Sequence, residues 1–292
     1  MTGQIRQGTK HHLTPSMRPL FIIGNKRSGT SQFVRILNLH PEVFIAHEAD
    51  LIWILHQFYR QQPFTVHPWD SDKGMKHTLA AAGHLLQRDR TPWENFQAVI
   101  KFLMEQGTPW LPPVSKPGLR WLGDKKPFQH TDPQLVPFIL EHFPDALFLH
   151  IIRHPCAVTA SSDHFNRHDG DFWQGLSQEE KVRRWTFHEQ RVAEMKLELP
   201  GRIHSLRYED LCRRTELELS GVFHFLGLTP DARALKNAAR QTVPASRACA
   251  KINCPAETLE LATRHGYDLE KPAGRLRSLG AHWYWKLAKR FH

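Results

Sequence analysis

RPLFIIGNKRSGTSQFVRILNLH, residues 18–40, changes its hydrophobic period halfway along. RPLFII is a short apolar run of buried-strand type, and QFVRILNLH reads as a helix. Between them lies GNKRSGTS, residues 24–31, whose glycines Gly24 and Gly29 have the five-residue step of a Walker loop. Thr30 occupies the place of the usual lysine, and cations stand inside the loop instead, at Lys26 and Arg27. Backbone N–H groups at a helix start suit an anion. What the loop lacks is the grip on a β/γ-phosphate pair, so it predicts a phosphorylated ligand other than ATP or GTP.

Outward from the loop, HPEVFIAHEAD reads as a turn, a short strand and a helix start. Residues 52–120 show no period-2 alternation and are broken by Pro63, Pro68, Pro92 and TPWLPPVSKPG, which predicts a helical insertion or lid. A further strand begins at Leu119 or Arg120 and ends in GDKKP; the helix PQLVPFILEHF then leads into the apolar strand ALFLHIIRHP. AVTASSDHF starts another helix, SQEEKVRRWTFHEQRVAEMKLEL has helical period with Trp185 and Val192 as core contacts, and RIHSLRYEDL is a strand running into a helix. TELELSGVFHFLGL is amphipathic. The alternation predicts an α/β, P-loop-type sandwich: a central, mostly parallel sheet flanked by helices. Residues 1–17 read as a flexible tail and 18–292 as a single domain, with no internal repeat.

The chain has 292 residues and a formal charge of +10, so anionic ligands are expected. Nucleic acid ranks last among them, because the basic residues are spread evenly and form no RGG, zinc-finger or RNP-like pattern. Cys156, Cys212, Cys249 and Cys254 form no CxxC pair, which favours a reducing compartment over a disulfide framework. The twenty histidines include no HExxH or comparable pattern, so no metal is expected. No signal core and no membrane-length apolar run is visible, and a cytoplasmic protein is the expectation.

A second informative stretch is HIIRHPCAVTASS. A buried strand ends at Ile152 and presents Arg153, with Ser161 eight positions on, after a turn through Pro155 into a helix. P-loop hydrolases commonly place a magnesium-supporting Asp at the end of a neighbouring strand. An arginine and a serine there would hold an extra phosphate by charge-assisted hydrogen bonds, without a metal.

These residues resemble the sulfotransferases that use 3′-phosphoadenosine 5′-phosphosulfate (PAPS), in motif style the bacterial and tyrosylprotein-type members. The family loop RSGT[TS] is matched by Arg27, Ser28, Gly29, Thr30 and Ser31, and its strand-end Arg and following Ser by Arg153 and Ser161. HPEVFIAHE, GDKKPF, FPDALFLHIIRHP, LRYEDL and FLGL follow in family order, so the resemblance spans roughly residues 19–230. It implies that Ser28, Gly29, Thr30 and Ser31, with Lys26 and Arg27, cradle the 5′-phosphosulfate. Arg153 and Ser161 would hold the 3′-phosphate, and Tyr208 would contact the nucleotide. It also implies Glu48 as the general base, with His47 as rival for the same proton. Lys125 would stabilise the transferring sulfuryl group, with the adjoining Lys126 as the alternative cation and Arg27 on the same oxygens. RHPCAV departs from the family's RDPRDV, and the C-terminal nucleotide loop is matched only loosely by Lys271, Arg275 and Arg277.

The expected activity is transfer of a sulfuryl group from PAPS to a hydroxyl or amine. Acceptor classes are carbohydrate, lipid-linked sugar, peptide or small molecule. Trp53, Trp69, Trp93, Trp110 and Trp121 stand in or next to the insertion that would shape the pocket, although core packing suits most of them. A kinase-like phosphotransferase and an inactive PAPS-binding protein are the alternatives. The first lacks its lysine and Asp; the second is disfavoured by Glu48 and Lys125 together. HWYWKLAKRFH at the C-terminus carries aromatics and cations at helical spacing, suited either to an anionic membrane surface or to docking on the domain.

Overall fold

A computed structural model describes residues 17–166, 175–242 and 254–269. The tail 1–16, Cys249, Lys271, Arg275, Arg277 and the terminal segment 281–292 lie outside them. Five strands form one sheet in the order β2-β3-β1-β4-β5 with every pairing parallel: β1 (Arg18–Ile23), β2 (Val43–His47), β3 (Trp121–Lys125), β4 (Leu147–Ile152) and β5 (Ile203–Arg207). The α/β class is therefore as the sequence predicts, and the sheet is wholly parallel. Parallel strands are covered on both faces, which is why Leu20, Phe21, Ile22 and Ile23 are all fully buried and read as an unbroken apolar run.

Helices α1 (Thr30–Leu37), α2 (Leu51–Tyr59), α3 (Lys73–Ala82), α4 (Pro92–Gln106), α5 (Leu135–His142), α6 (Pro155–Asn166), α7 (Gln178–Glu198), α8 (Tyr208–Arg213), α9 (Thr215–Phe225), α10 (Ala232–Gln241) and α11 (Ala256–Arg264) surround the sheet. The region 52–120 is helical as expected, through α2, α3 and α4, and irregular between them and after Gln106. Reciprocal capping boxes start α4 at Thr91 and Glu94 and α7 at Ser177 and Glu180. The core locks through Phe21, Phe96 and Phe143, whose rings meet edge-on at 5.4, 5.7 and 5.9 Å. Truncating one of them to alanine costs about 3–5 kcal/mol. Cys156 is disulfide-bonded, and Cys212 and Cys254 are free.

The strand order decides where a ligand sits. From β1 the chain runs to the far strand β2, returns through β3 and crosses to β4 on the other side. Open α/β sheets bind ligands at the carboxyl ends of strands beside such a reversal. Here those ends are Ile23, Lys125 and Ile152. No helix among the described residues is long and apolar enough to cross a membrane.

Candidate active site

The loop after β1 turns through Gly24, Arg27 at φ 68 and Gly29 at φ 92, and Gly29 caps α1. At Gly29 a Cβ would stand 2.2 Å from the Tyr208 ring, so that ring lies directly on the backbone where the helix begins. The first N–H groups of a helix have no acceptor within it. Asn25 and Ser28 are fully buried, and their side-chain polar atoms have no hydrogen-bond partner. Buried polar atoms are nearly always paired, so a loop with unpaired ones fits an oxyanion seated in it.

From the next strand end, Arg153 donates from Nη1 to the Arg27 carbonyl at 2.9 Å, and its guanidinium lies 4.7 Å over the Tyr208 ring. Arg27 Nε donates to Ser161 Oγ at 3.4 Å. Trp185 of α7 holds the strand end by donating to the Arg153 carbonyl at 3.0 Å. Arg27, Gly29, Arg153, Ser161 and Tyr208 are thus assembled at one place, from segments far apart in the chain.

On the other flank of β1, Glu48 follows β2 with φ 55, and its N–H donates to the Lys125 carbonyl at 3.1 Å. The Lys125 ammonium pairs with Glu48 Oε1 and lies 3.5 Å from Ser31 Oγ, joining the carboxylate to the loop. The Lys125 side chain has no exposure, whereas that of Glu48 is 36 % exposed, so the carboxylate faces the cleft. Burial pushes the Glu48 carboxyl up, but the Lys125 and Lys126 ammoniums outweigh it and hold the group below the usual carboxylate range. Burial, then the opposing charge of Lys125, lowers His47 to about 3, so it is neutral; its ring stacks on Trp110 with centroids 6.0 Å apart.

Successive strand residues point to opposite faces, and the two lysines diverge accordingly. Lys126 pairs with Asp50 and Asp70, and Asp70 also lies 3.5 Å from Lys26 of the loop. Burial opposes the charge on Lys126, but Asp50 and Asp70 outweigh it and raise its affinity for the proton. Lys125 is therefore the lysine beside Glu48, and Lys126 belongs to a buried ion-pair layer. Thr30 is buried and Ser31 half-buried at the start of α1. Among the insertion's tryptophans, Trp121 is buried and donates to the Leu226 carbonyl, and Trp93 stacks on Phe96. Trp53 donates to the Thr65 carbonyl, Trp69 meets the His67 and Phe128 rings edge-on, and Trp110 stacks on His47.

Three carboxylates are absent from the sequence reading. Asp50 and Asp70 hold Lys126; Asp124 is fully buried, with Oδ1 accepting from the N–H groups of Ala49 at 3.2 Å and Lys125 at 2.8 Å. Burial pushes the Asp124 carboxyl up. An acid directly before two lysines at a strand end is a readable sign of such pairing, but the partners in the 48–50 and 70 segments are not local. Among the described residues no group of His, Cys, Asp and Glu could hold a metal ion.

A parallel P-loop sheet with arginine at the end of the strand beside it, and no Walker lysine, is an arrangement suited to a phosphorylated ligand. The profile described as "Sulfotransferase family" matches residues 19–232, and the chain belongs to that family, the PAPS-dependent sulfotransferases. The sulfotransferase domain of the Synechococcus PCC 7002 olefin synthase has a similar structure, with TM-score 0.58 and 18 % identity over 87 % of this chain and 96 % of that one. The sulfotransferase domain from the curacin biosynthetic pathway is similar at TM-score 0.55 and 19 % identity, over 87 % and 98 %. Comparison with curated protein sequences finds no match.

Proposed function

We propose that the chain moves a sulfuryl group from PAPS to a hydroxyl or amine, with Glu48 as general base. The observation that carries this reading is the line Glu48–Lys125–Ser31, which ties a partly exposed carboxylate after β2 to the phosphate-type loop. PAPS supplies the sulfuryl group and leaves as 3′-phosphoadenosine 5′-phosphate (PAP). Ser28, Gly29, Thr30 and Ser31 hold the 5′-phosphosulfate end, where the buried Ser28 hydroxyl has no other partner. Lys26 and Arg27 add positive charge to the loop. Arg153 and Ser161 hold the 3′-phosphate, and Tyr208 closes the loop side of the nucleotide site.

Glu48 takes the proton from the acceptor oxygen or nitrogen as it attacks sulfur. Lys125 neutralises charge on the transferring group and the bridging oxygen. In the free protein the same ammonium holds Glu48 ionised, so the base is ready before the acceptor arrives. The Trp110 ring beside His47 offers the acceptor an apolar face. Calorimetric titration with PAP, against ATP and ADP with magnesium, tests the donor assignment. Selective binding of PAP without metal is expected; binding of ATP with magnesium alone would return the chain to the kinase-like phosphotransferases.

A further inference from the structure

The turn Glu48–Ala49–Asp50 carries φ 55 at both Glu48 and Asp50. Left-handed backbone at a non-glycine residue is strained and persists where the surroundings over-determine it. The surroundings here are two side chains on the N–H and carbonyl of one residue and one close approach. The Ala49 N–H donates to Asp124 Oδ1 at 3.2 Å, and the Ala49 carbonyl accepts from Thr78 Oγ1 of α3 at 2.7 Å. At Gly74, in the first turn of α3, a Cβ would stand 2.2 Å from the Glu48 carbonyl oxygen and 2.4 Å from Asp50 Oδ2, so the helix lies directly on the turn.

Asp124 holds more than the turn. The same Oδ1 accepts the Lys125 N–H at 2.8 Å, so one carboxylate oxygen joins the backbone of Lys125 to the residue after Glu48. Its Oδ2 is buried and has no hydrogen-bond partner. Burying a carboxylate is expensive, and the two N–H groups it serves flank the direct bond from the Glu48 N–H to the Lys125 carbonyl. We propose that Asp124, with Thr78 on the Ala49 carbonyl, is a positioning residue that keeps the Glu48 carboxylate against the Lys125 ammonium. This rests on the roles given above to Glu48 and Lys125, which Asp124 reaches only through the backbone.

The test is the NMR titration of the Glu48 carboxyl in the full chain, labelled with ¹³C at glutamate. The charged groups acting on that carboxyl are Lys125 and Lys126, joined in the acid range by His47, which takes up its proton at about 3. Lys125→Met gives the upward shift that follows complete loss of the ammonium. Asp124→Ala should raise the midpoint by at least about half of that shift, whereas Asp124→Asn, which keeps an oxygen acceptor but loses the charge, should stay at or below the wild-type value. Loss of the Asp124 charge alone would move Glu48 downward, because a nearby negative charge raises a carboxyl. An upward shift therefore reads position. An unchanged or lowered midpoint in Asp124→Ala overturns the proposal. PAP affinity, measured by calorimetry on the same sample, should stay within about twofold. Where Asp124→Ala fails to fold, Thr78→Val should shift Glu48 in the same direction, and no shift overturns the proposal equally. Wild-type turnover in Glu48→Gln would instead remove the base assignment and leave the positioning result standing.

Discussion

The two flanks of β1 hold their cations differently. On the β4 side, Arg153 and Arg27 lean on a carbonyl, a hydroxyl and a ring face. On the β3 side, Lys125 and Lys126 are held by Glu48, Asp50 and Asp70. Each of those contacts orients a guanidinium without itself cancelling the charge. Ion pairs instead fix geometry and set protonation: they keep Glu48 ionised and Lys126 protonated. In the proposed reading the first flank binds the nucleotide and the second holds the proton acceptor in place.

The sharpest way to break this contrast is Glu48→Gln. Its turnover should fall by about two to four orders of magnitude while PAP affinity stays within a few-fold. Equal loss of both would mean that the β3 flank also binds the nucleotide. Arg153→Ala should do the reverse. Losing a charge-assisted contact is worth about 1.5–3 kcal/mol, so calorimetry should read PAP affinity weakened by about 10- to 150-fold. A variant that binds PAP normally would take the 3′-phosphate away from Arg153.

Gly29→Ala probes the β4 flank through packing. A residue other than glycine in the left-handed region costs about 1–2 kcal/mol, and here its Cβ also meets the Tyr208 ring. A melting temperature lowered by several degrees is expected, with weaker PAP binding; an unchanged melt would show that the ring moves freely. The smallest effect concerns pH. Glu48 titrates lower in the folded chain than in the unfolded one. Its ionised form therefore adds stability that is complete above the unfolded value, about 4.3, and is lost as pH falls toward the folded value. The melting difference between wild type and Glu48→Gln should be constant near neutrality and shrink below about pH 4.3. A difference that grows on acidification would contradict the Glu48–Lys125 pairing.

The contrast also explains what could be read from the sequence. The β4 flank is written in short local patterns: RSGTS at a helix start, RHP at the end of an apolar strand, and a serine eight positions later. The α/β alternation was equally plain, because parallel strands buried on both faces leave unbroken apolar runs such as LFII. Glu48 and Lys125 were found only through family order, since nothing local distinguishes HEAD or GDKKP from an ordinary helix start and a charged turn. Asp50, Asp70, Thr78 and Asp124 went unread because each works by closing a long loop. The adjacent lysines left two choices for the same reason: alternation puts them on opposite faces but does not say which face holds Glu48.

The contact between the Arg153 guanidinium and the Arg27 carbonyl spans 126 residues. At roughly 5–20 residues per second, a ribosome needs on the order of ten seconds to make that stretch. For most of that interval, until β3 is made, β1 is bound for the middle of the sheet between β3 and β4 with both edges unpaired. An apolar strand with open edges is the kind of segment that pairs with the wrong neighbour. The arrangement that lets one strand present the loop to both flanks therefore makes the nascent chain depend on protection of its first strand until the second half arrives.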